Sequence, residues 1–394
     1  MSLKLEGGGS GHSRPGLPNI RSEWSLDFAR LHVNHGSYGA APRIVLAEQQ
    51  QWRDVMESGL TYFMNDVLPG ALRASAERLA AYVGVSGDDL VFVDNATAGV
   101  NAVLASLRLS EGDEVLLHSH SYGAVTKTVR HAAEIAGASI VTVDLPFPDP
   151  TPGSIESAFA AAITSRTRLA IIDHITSPSA LVFPVAALSK LCHDANVLVL
   201  IDGAHAPGHV PLDLGAVGAD YYVGNCHKWL MSPKGAGFLW AHRELQQGLH
   251  PTIISHGYGA GFAAEFDWTG TRDWSAALAV PAAIDFHNGL GGEALMAANS
   301  ALAWDAATRL GRRWGTELAA SRDMFGAMTL VGAPFGKLEP DEVLSLRTRL
   351  RAAGADAPVV VLGDQSWIRL SAQAYNAPED YERLGDIVDR VTRT

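Results

Sequence analysis

The sequence predicts an α/β fold: a mainly parallel sheet with helices on both faces, followed by a smaller C-terminal α/β domain. Two observations carry this. Short β-rich runs recur along the first two thirds of the chain and are apolar throughout, as in strands buried on both faces. Helical patterns separate most of them, which is the alternation of a parallel sheet. After about residue 260 the texture changes to a long helical region and shorter mixed segments.

Taken in order, the strand candidates run from Leu90 to Val93, Glu114 to His118, Ser139 to Asp144, Leu169 to Asp173, Val197 to Ile201, Tyr221 to Val223 and Gly237 to Trp240. Helical patterns run from Ala71 to Val83, Ala98 to Ser106, Thr126 to Ala136, Ile155 to Ala162 and Val185 to Ala195. Beyond a Gly-rich loop at 257–261, helix is expected from Val280 to Arg322. Strands follow at 359–362 and 367–370, and a final helix from Pro378 to Val391. The expected division is a flexible leader over 1–20, a large domain over 21–265 and a small domain over 266–394.

The chain has 394 residues, 47% apolar and 18% charged, with a formal net charge of −12. That charge disfavours nucleic acid and anionic membranes as partners, and no apolar run approaches a membrane span. The only cysteines, Cys192 and Cys226, form no C-x-x-C pair, which argues against a disulfide framework and fits a reducing, cytoplasmic setting. The Gly-, Ser- and Pro-rich leader has no apolar core of a signal peptide. His118 and His120 lack a carboxylate or Cys at ligand spacing, so no metal is expected.

In parallel sheets, ligands bind at the carboxyl ends of strands, and the polar residues concentrate there. One apolar run ends in Asp202, another closely precedes Lys228. A lysine for a Schiff base and an acid for a pyridine nitrogen are what pyridoxal 5′-phosphate (PLP) chemistry requires. Asn95, Ala96 and Thr97 open a helix, where N–H groups and a hydroxyl suit a phosphate; taken alone, ordinary N-capping by Asn95 or Thr97 is the simpler reading. Tyr122 can stack on a ring or sit half-buried at a surface. His205 and Thr176 can reach the cofactor's phenolic oxygen, and His227 its phosphate. Gly270 and Thr271 form a polar loop between Trp268 and Trp274, either a phosphate contact or a turn. Arg369, on an apolar strand, suits a bidentate clamp on a substrate carboxylate or a structural salt bridge. Asn34 and His35 are expected on the substrate side.

These segments resemble the class V aminotransferase family of fold-type I PLP-dependent transferases, and within it the isopenicillin N epimerase-like branch. The matching stretches are Asn34-His-Gly-Ser-Tyr-Gly39, Asn95-Ala-Thr97, Ser121-Tyr-Gly-Ala124, Asp173-His-Ile-Thr-Ser-Pro178, Asp202-Gly-Ala-His205, Gly224-Asn-Cys-His-Lys-Trp229, Trp268-Thr-Gly-Thr-Arg-Asp273 and Arg369-Leu-Ser371 with Tyr375-Asn376. The resemblance implies Lys228 as the Schiff-base lysine, Asp202 as the pyridinium partner and Tyr122 as the stacking ring. It further implies Thr97 and His227 on the phosphate, Thr271 reaching it from a neighbouring subunit of a homodimer, and Arg369 on the α-carboxylate of an amino-acid substrate. Cysteine desulfurases of the family carry a Ser three positions before the lysine, where this chain has Asn225, and a mobile cysteine in the C-terminal half, where this chain has none. The expected reaction is β-elimination from an S-substituted cysteine. Epimerisation, transamination and a decarboxylating or oxidative reaction in natural-product biosynthesis stay open, as does a catalytically silent PLP-binding regulator. Regulators of this fold append a DNA-binding domain, for which only a short Gly-rich leader is present. A nicotinamide dehydrogenase lacks its G-x-G-x-x-G.

Overall fold

The structure, a computed structural model, describes residues 20–393. The expected leader lies outside the described residues except for Ile20, which is buried in one apolar cluster with Trp24. The central sheet has seven strands in the spatial order Leu90–Val93, Gly237–Ala241, Tyr221–Asn225, Leu198–Gly203, Thr167–Asp173, Glu114–His118 and Ser139–Val143. All run parallel except Gly237–Ala241, which is antiparallel to both neighbours. Gly237 makes that insertion feasible: a Cβ there would lie 2.6 Å from Asn95 Cα.

Burial explains the uniform apolarity of these strands. Val199, Leu200 and Ile201 in the fifth strand of the chain order are each fully buried, with one set of side chains in the cluster on one face and the other set on the opposite face. Each such side chain contributes about 1.5–3 kcal/mol relative to exposure. Helices Leu68–Tyr82, Ala96–Ser106, Gly123–Ala136, Pro152–Ala162 and Val185–Asp194 fall where the sequence placed them, most beginning two or three residues earlier.

The C-terminal part has its own three-stranded antiparallel sheet, ordered Val359–Leu362, Gln365–Ser371, Met328–Gly332. The third of these strands and the early helix Arg43–Ser58 were not read from sequence. The expected continuous helix from Val280 is broken. It forms Val280–Gly289 and Glu293–Trp314, interrupted at Gly291 and Gly292, both of positive φ, and stopped by Gly315 in a left-handed cap. Ala276, Ala277, Leu278, Val280 and Ile284 belong to the large core, because their helices cover Arg43–Ser58 and Leu68–Tyr82. The second core starts at Leu302 and takes in Leu31 and Val33 from the N-terminal side. Core packing thus passes from the first cluster towards the second within Glu293–Trp314, while Met328, Leu330 and Trp367 of the small sheet still pack in the first.

Two short strands, Leu31–His32 and Ala355–Asp356, pair in parallel, and Ser371 N–H donates to Val33 O at 2.8 Å. The N-terminal segment thus lies against the small sheet before turning at Gly39 towards the large domain. Gly39 has φ +69°, and a Cβ there would sit 1.9 Å from the His227 carbonyl oxygen. Gly39→Ala is expected to lower stability by about 2 kcal/mol or more, from backbone strain and overpacking. A thermal melt with an unchanged midpoint would contradict this.

Candidate active site

Lys228 sits three residues beyond the strand Tyr221–Asn225 and lines a cavity of about 550 Å³ together with Tyr122, Ser177 and Arg369. Its Nζ lies 3.1 Å from His205 Nε2. The other ring nitrogen, Nδ1, accepts from the indole N–H of Trp229 at 3.3 Å. Because indole nitrogen only donates, neutral His205 must carry its proton on Nε2, and that N–H then points at a lone pair of an uncharged Lys228 amine. Burial independently pushes the Lys228 ammonium down to about 8; Asp202 and Asp173 oppose the shift and Arg369 adds to it. The tautomer imposed by Trp229 acts in the same direction as burial. Burial, then the neighbouring Lys228, also hold His205 well below the ordinary histidine range.

Asp202 is 4% exposed, and one of its oxygens accepts the Ala204 N–H at 3.0 Å. Burial raises its pKa, and the facing Asp173 raises it further. Asp173 is the register partner of Asp202 on the adjacent strand, and His118 Nε2 lies 3.2 Å from its Oδ1. A cationic ring nitrogen beside Asp202 would supply the counter-charge that this carboxylate lacks.

At the opening of helix Ala96–Ser106 the two readings divide residue by residue. Asn95 is an N-cap, its Oδ1 accepting Ala98 N–H at 3.0 Å. Ala96 does not offer its N–H to a ligand, because Asn225 Oδ1 takes it at 2.8 Å. Among the described residues no hydrogen bond takes the Thr97 N–H or hydroxyl, so Thr97 is the donor left for a phosphate. His227 donates from Nδ1 to Ala236 O at 3.2 Å, and burial pushes it down to about 4. Its neutral Nε2 is an acceptor, so it would donate to a phosphate once the anion's charge has raised the imidazole and Nε2 has taken up a proton. Tyr122, 45% exposed, caps helix Gly123–Ala136 and presents its ring to the Lys228 cavity.

Thr176 and His35 depart from expectation. Thr176 is fully buried, its hydroxyl bound by Ser179 Oγ at 2.7 Å and Leu181 N–H at 2.8 Å, so it has no capacity for a cofactor oxygen. Its neighbour Ser177, not singled out from sequence, faces the cavity. His35 does not reach the substrate side: it is 4% exposed, accepts from Tyr375 Oη at 2.9 Å and donates to the Lys228 carbonyl at 3.0 Å, bracing the lysine from behind. Gly270 and Thr271 line a different cavity, with Asp94, Lys234 and Arg272.

Arg369 is 5% exposed and is held from two domains: by the Ser177 carbonyl, by Asn34 Oδ1 at 3.1 Å and by Ser37 Oγ at 2.9 Å. Its Nε is buried without a partner. Asn34 lines the cavity, yet its side chain is spent on Arg369 and on donating to Asp356 at 3.1 Å. Burial lowers the Arg369 guanidinium to about 10, which leaves it charged at neutral pH.

The family described as Aminotransferase class-V matches residues 46–384. The chain belongs to that family. It is 36% identical over 412 residues to putative L-cysteine desulfhydrase 1 of Oryza sativa subsp. japonica, covering 94% of this chain and 85% of that protein. It is 34% identical over 395 residues to isopenicillin N epimerase of Amycolatopsis lactamdurans, covering 95% and 98%. The fold is shared with the cystine C–S lyase C-DES, solved with its reaction product cysteine persulfide. There the TM-score is 0.80 at 21% identity, over 91% of this chain and 97% of that one.

The protein is therefore a fold-type I enzyme that takes PLP, and its residues fit that group. Lys228 would hold the aldehyde carbon, Asp202 the ring nitrogen, Tyr122 the ring face, Thr97 and His227 the phosphate. PLP uptake requires the uncharged amine, so the rate of cofactor reconstitution of the apoprotein should rise with pH through a midpoint near 8. Trp229→Phe removes the tautomer lock and should move the midpoint up; Asp202→Asn removes a carboxylate that favours the ammonium and should move it down. Stopped-flow absorbance of PLP uptake against pH reads both signs, and coincident midpoints for the three proteins would refute the linkage.

Proposed function

We propose that this enzyme is a C–S lyase, releasing a thiol, pyruvate and ammonium from L-cysteine or an S-substituted cysteine with uptake of one water. The observation that carries the reading is that Lys228 and Arg369 line one cavity while neither cysteine does. Cys192 and Cys226 are both free and buried, and burial pushes both thiols up, so neither is a mobile nucleophile able to carry sulfur away. Similarity to L-cysteine desulfhydrases over nearly the whole chain supports the same outcome.

PLP, when bound, supplies the electron sink that lets the Cα–H bond break without building full charge on carbon. The rest falls to the chain. Arg369, its plane fixed by Ser177, Asn34 and Ser37, holds the α-carboxylate and orients the Cα–H bond. Lys228 Nζ takes the α-proton, and the neutral His205 beside it adds no competing charge. The Cβ–S bond breaks, sulfur leaves with a proton as the thiol, and water converts the three-carbon fragment to pyruvate and ammonium. The relationship to isopenicillin N epimerase supports a second reading, return of a proton to the opposite face of Cα, which gives solvent exchange at Cα without pyruvate.

The active unit is read as a homodimer in the cytoplasm. The Gly270–Thr271 loop stands apart from its own chain's Lys228 cavity, which supports delivery to a partner's phosphate site. Exposed Leu60, Tyr62, Ile253, Ile254 and Tyr258 supply apolar surface for such a partner.

Lys228→Ala should abolish pyruvate release and shift the visible band away from that of the lysine-bound cofactor; retained turnover would remove Lys228 from the chemistry. Arg369→Ala should raise KM for S-substituted cysteines about 30-fold or more, since truncating one partner of a buried charged pair costs about 2–5 kcal/mol. An unchanged KM would assign the carboxylate to another group.

A further inference from the structure

The outer wall of the Lys228 cavity carries more positive charge than an ordinary amino acid needs. Helix Pro340–Ala352 contributes Arg347 and Arg351 to the lining, beside Arg369. Asp356 is the one carboxylate among the lining residues. Three guanidiniums against one carboxylate leave an excess of two positive charges, on a chain whose formal net charge is −12. An α-carboxylate on Arg369 removes one of them. The other is unaccounted for.

Arg347 and Arg351 are four residues apart on one helix, where like charges repel. Arg347 is half-buried; its Nη2 donates to Val359 O at 2.7 Å, while its Nε is buried without a partner. Arg351 is exposed, and its one hydrogen bond goes to Thr348 Oγ1 at 3.3 Å. Asp356 is already engaged by Asn34. Burial, then proximity of Arg351, lowers the Arg347 guanidinium, and Arg347 in turn lowers Arg369, which places the three cations in one electrostatic neighbourhood. Such a cluster is costly when empty and is relieved by an anion held bidentately.

We infer that Arg347 and Arg351 form a second anion subsite, and that the preferred substrates are L-amino acids whose side chain ends in a carboxylate or another anionic group. This rests on the reading of Arg369 as the α-carboxylate clamp. For a C–S lyase it means that the departing thiol itself carries negative charge.

The test uses the holoenzyme and two amino acids of equal chain length that lack a leaving group on Cβ: L-2-aminoadipate, which ends in a carboxylate, and L-norleucine, which ends in a methyl. Dissociation constants come from the change in visible absorbance of the bound cofactor. Aminoadipate is expected to bind at least 10-fold tighter. Arg351→Ala and, separately, Arg347→Met are expected to collapse that ratio towards one, whereas Arg369→Ala weakens both ligands. Equal dissociation constants in the wild type, or a preference that survives both helix variants, would overturn the subsite. Pyruvate assays with S-carboxymethyl- and S-methylcysteine keep the two readings apart. Equal kcat/KM for both, with pyruvate formed, rejects the subsite and leaves the lyase. Selective binding of aminoadipate without pyruvate from either conjugate rejects the lyase and leaves the subsite.

Discussion

Lys228 Nζ faces His205 Nε2 at the wall of the cavity, and burial disfavours a charged ammonium there despite Asp202 and Asp173. The surrounding structure eases this by making the charge easier to lose, with the ammonium lowered to about 8, and much of the local architecture follows. Trp229 fixes the His205 tautomer. His209 stacks on the Trp229 ring at 4.0 Å and donates to the His205 carbonyl, which holds both partners in place. His35 secures the Lys228 carbonyl from the far side. Four aromatic or imidazole side chains are thus spent on presenting one amine as a nucleophile and base, at the expense of buried polar groups that must all find partners.

The same logic governs the two charged residues that frame the site. Asp202 and Asp173 sit side by side at adjoining strand ends, an arrangement that disfavours ionisation of Asp202 until a cation arrives. Arg369 is the mirror case, a buried cation held in one orientation by neutral oxygens of Ser177, Asn34 and Ser37. Both are poised for a ligand of opposite sign, one for a ring nitrogen and one for a carboxylate. Charge complementarity is stored in the protein before anything binds.

What the sequence revealed and what it concealed follow one physical distinction. Strand ends are legible, because an apolar run that stops at a polar residue marks the edge of the sheet. Lys228, Asp202 and Tyr122 are singled out that way, whereas Arg369 is singled out as a charge within an apolar strand. Residues whose role depends on a distant partner are not. Ala96 loses its N–H to a side chain 129 residues away. Thr176 and Ser177 exchange roles because the chain reverses there, Ile175 bridging Val182, and turns the threonine inward. His35 and Ser37 belong to a four-residue helix too short to show periodicity. Arg347 and Arg351 lie on a helix of largely charged and polar surface, where no pattern marks two arginines as facing a cavity. The strand Met328–Gly332 escaped because so short a run, Met-Thr-Leu-Val ahead of a glycine, fits a buried helix equally well.

The segment from Leu31 to Gly39 touches everything that matters: it pairs with Ala355–Asp356, anchors Arg369 through Asn34 and supports Lys228 through His35. Its partners lie far along the chain; the hydrogen bonds to Arg369 and Tyr375 span 335 and 340 residues. A growing chain can assemble the parallel sheet from near neighbours, but the pocket stays open on one side until the C-terminal strand emerges and returns to the first-made residues. Closing so long a loop adds slowly growing entropy and a strong kinetic delay. Maturation of the site is thereby tied to synthesis of residues 355–375, and a chain that stops before them carries the lysine without the clamp that would let it select a substrate.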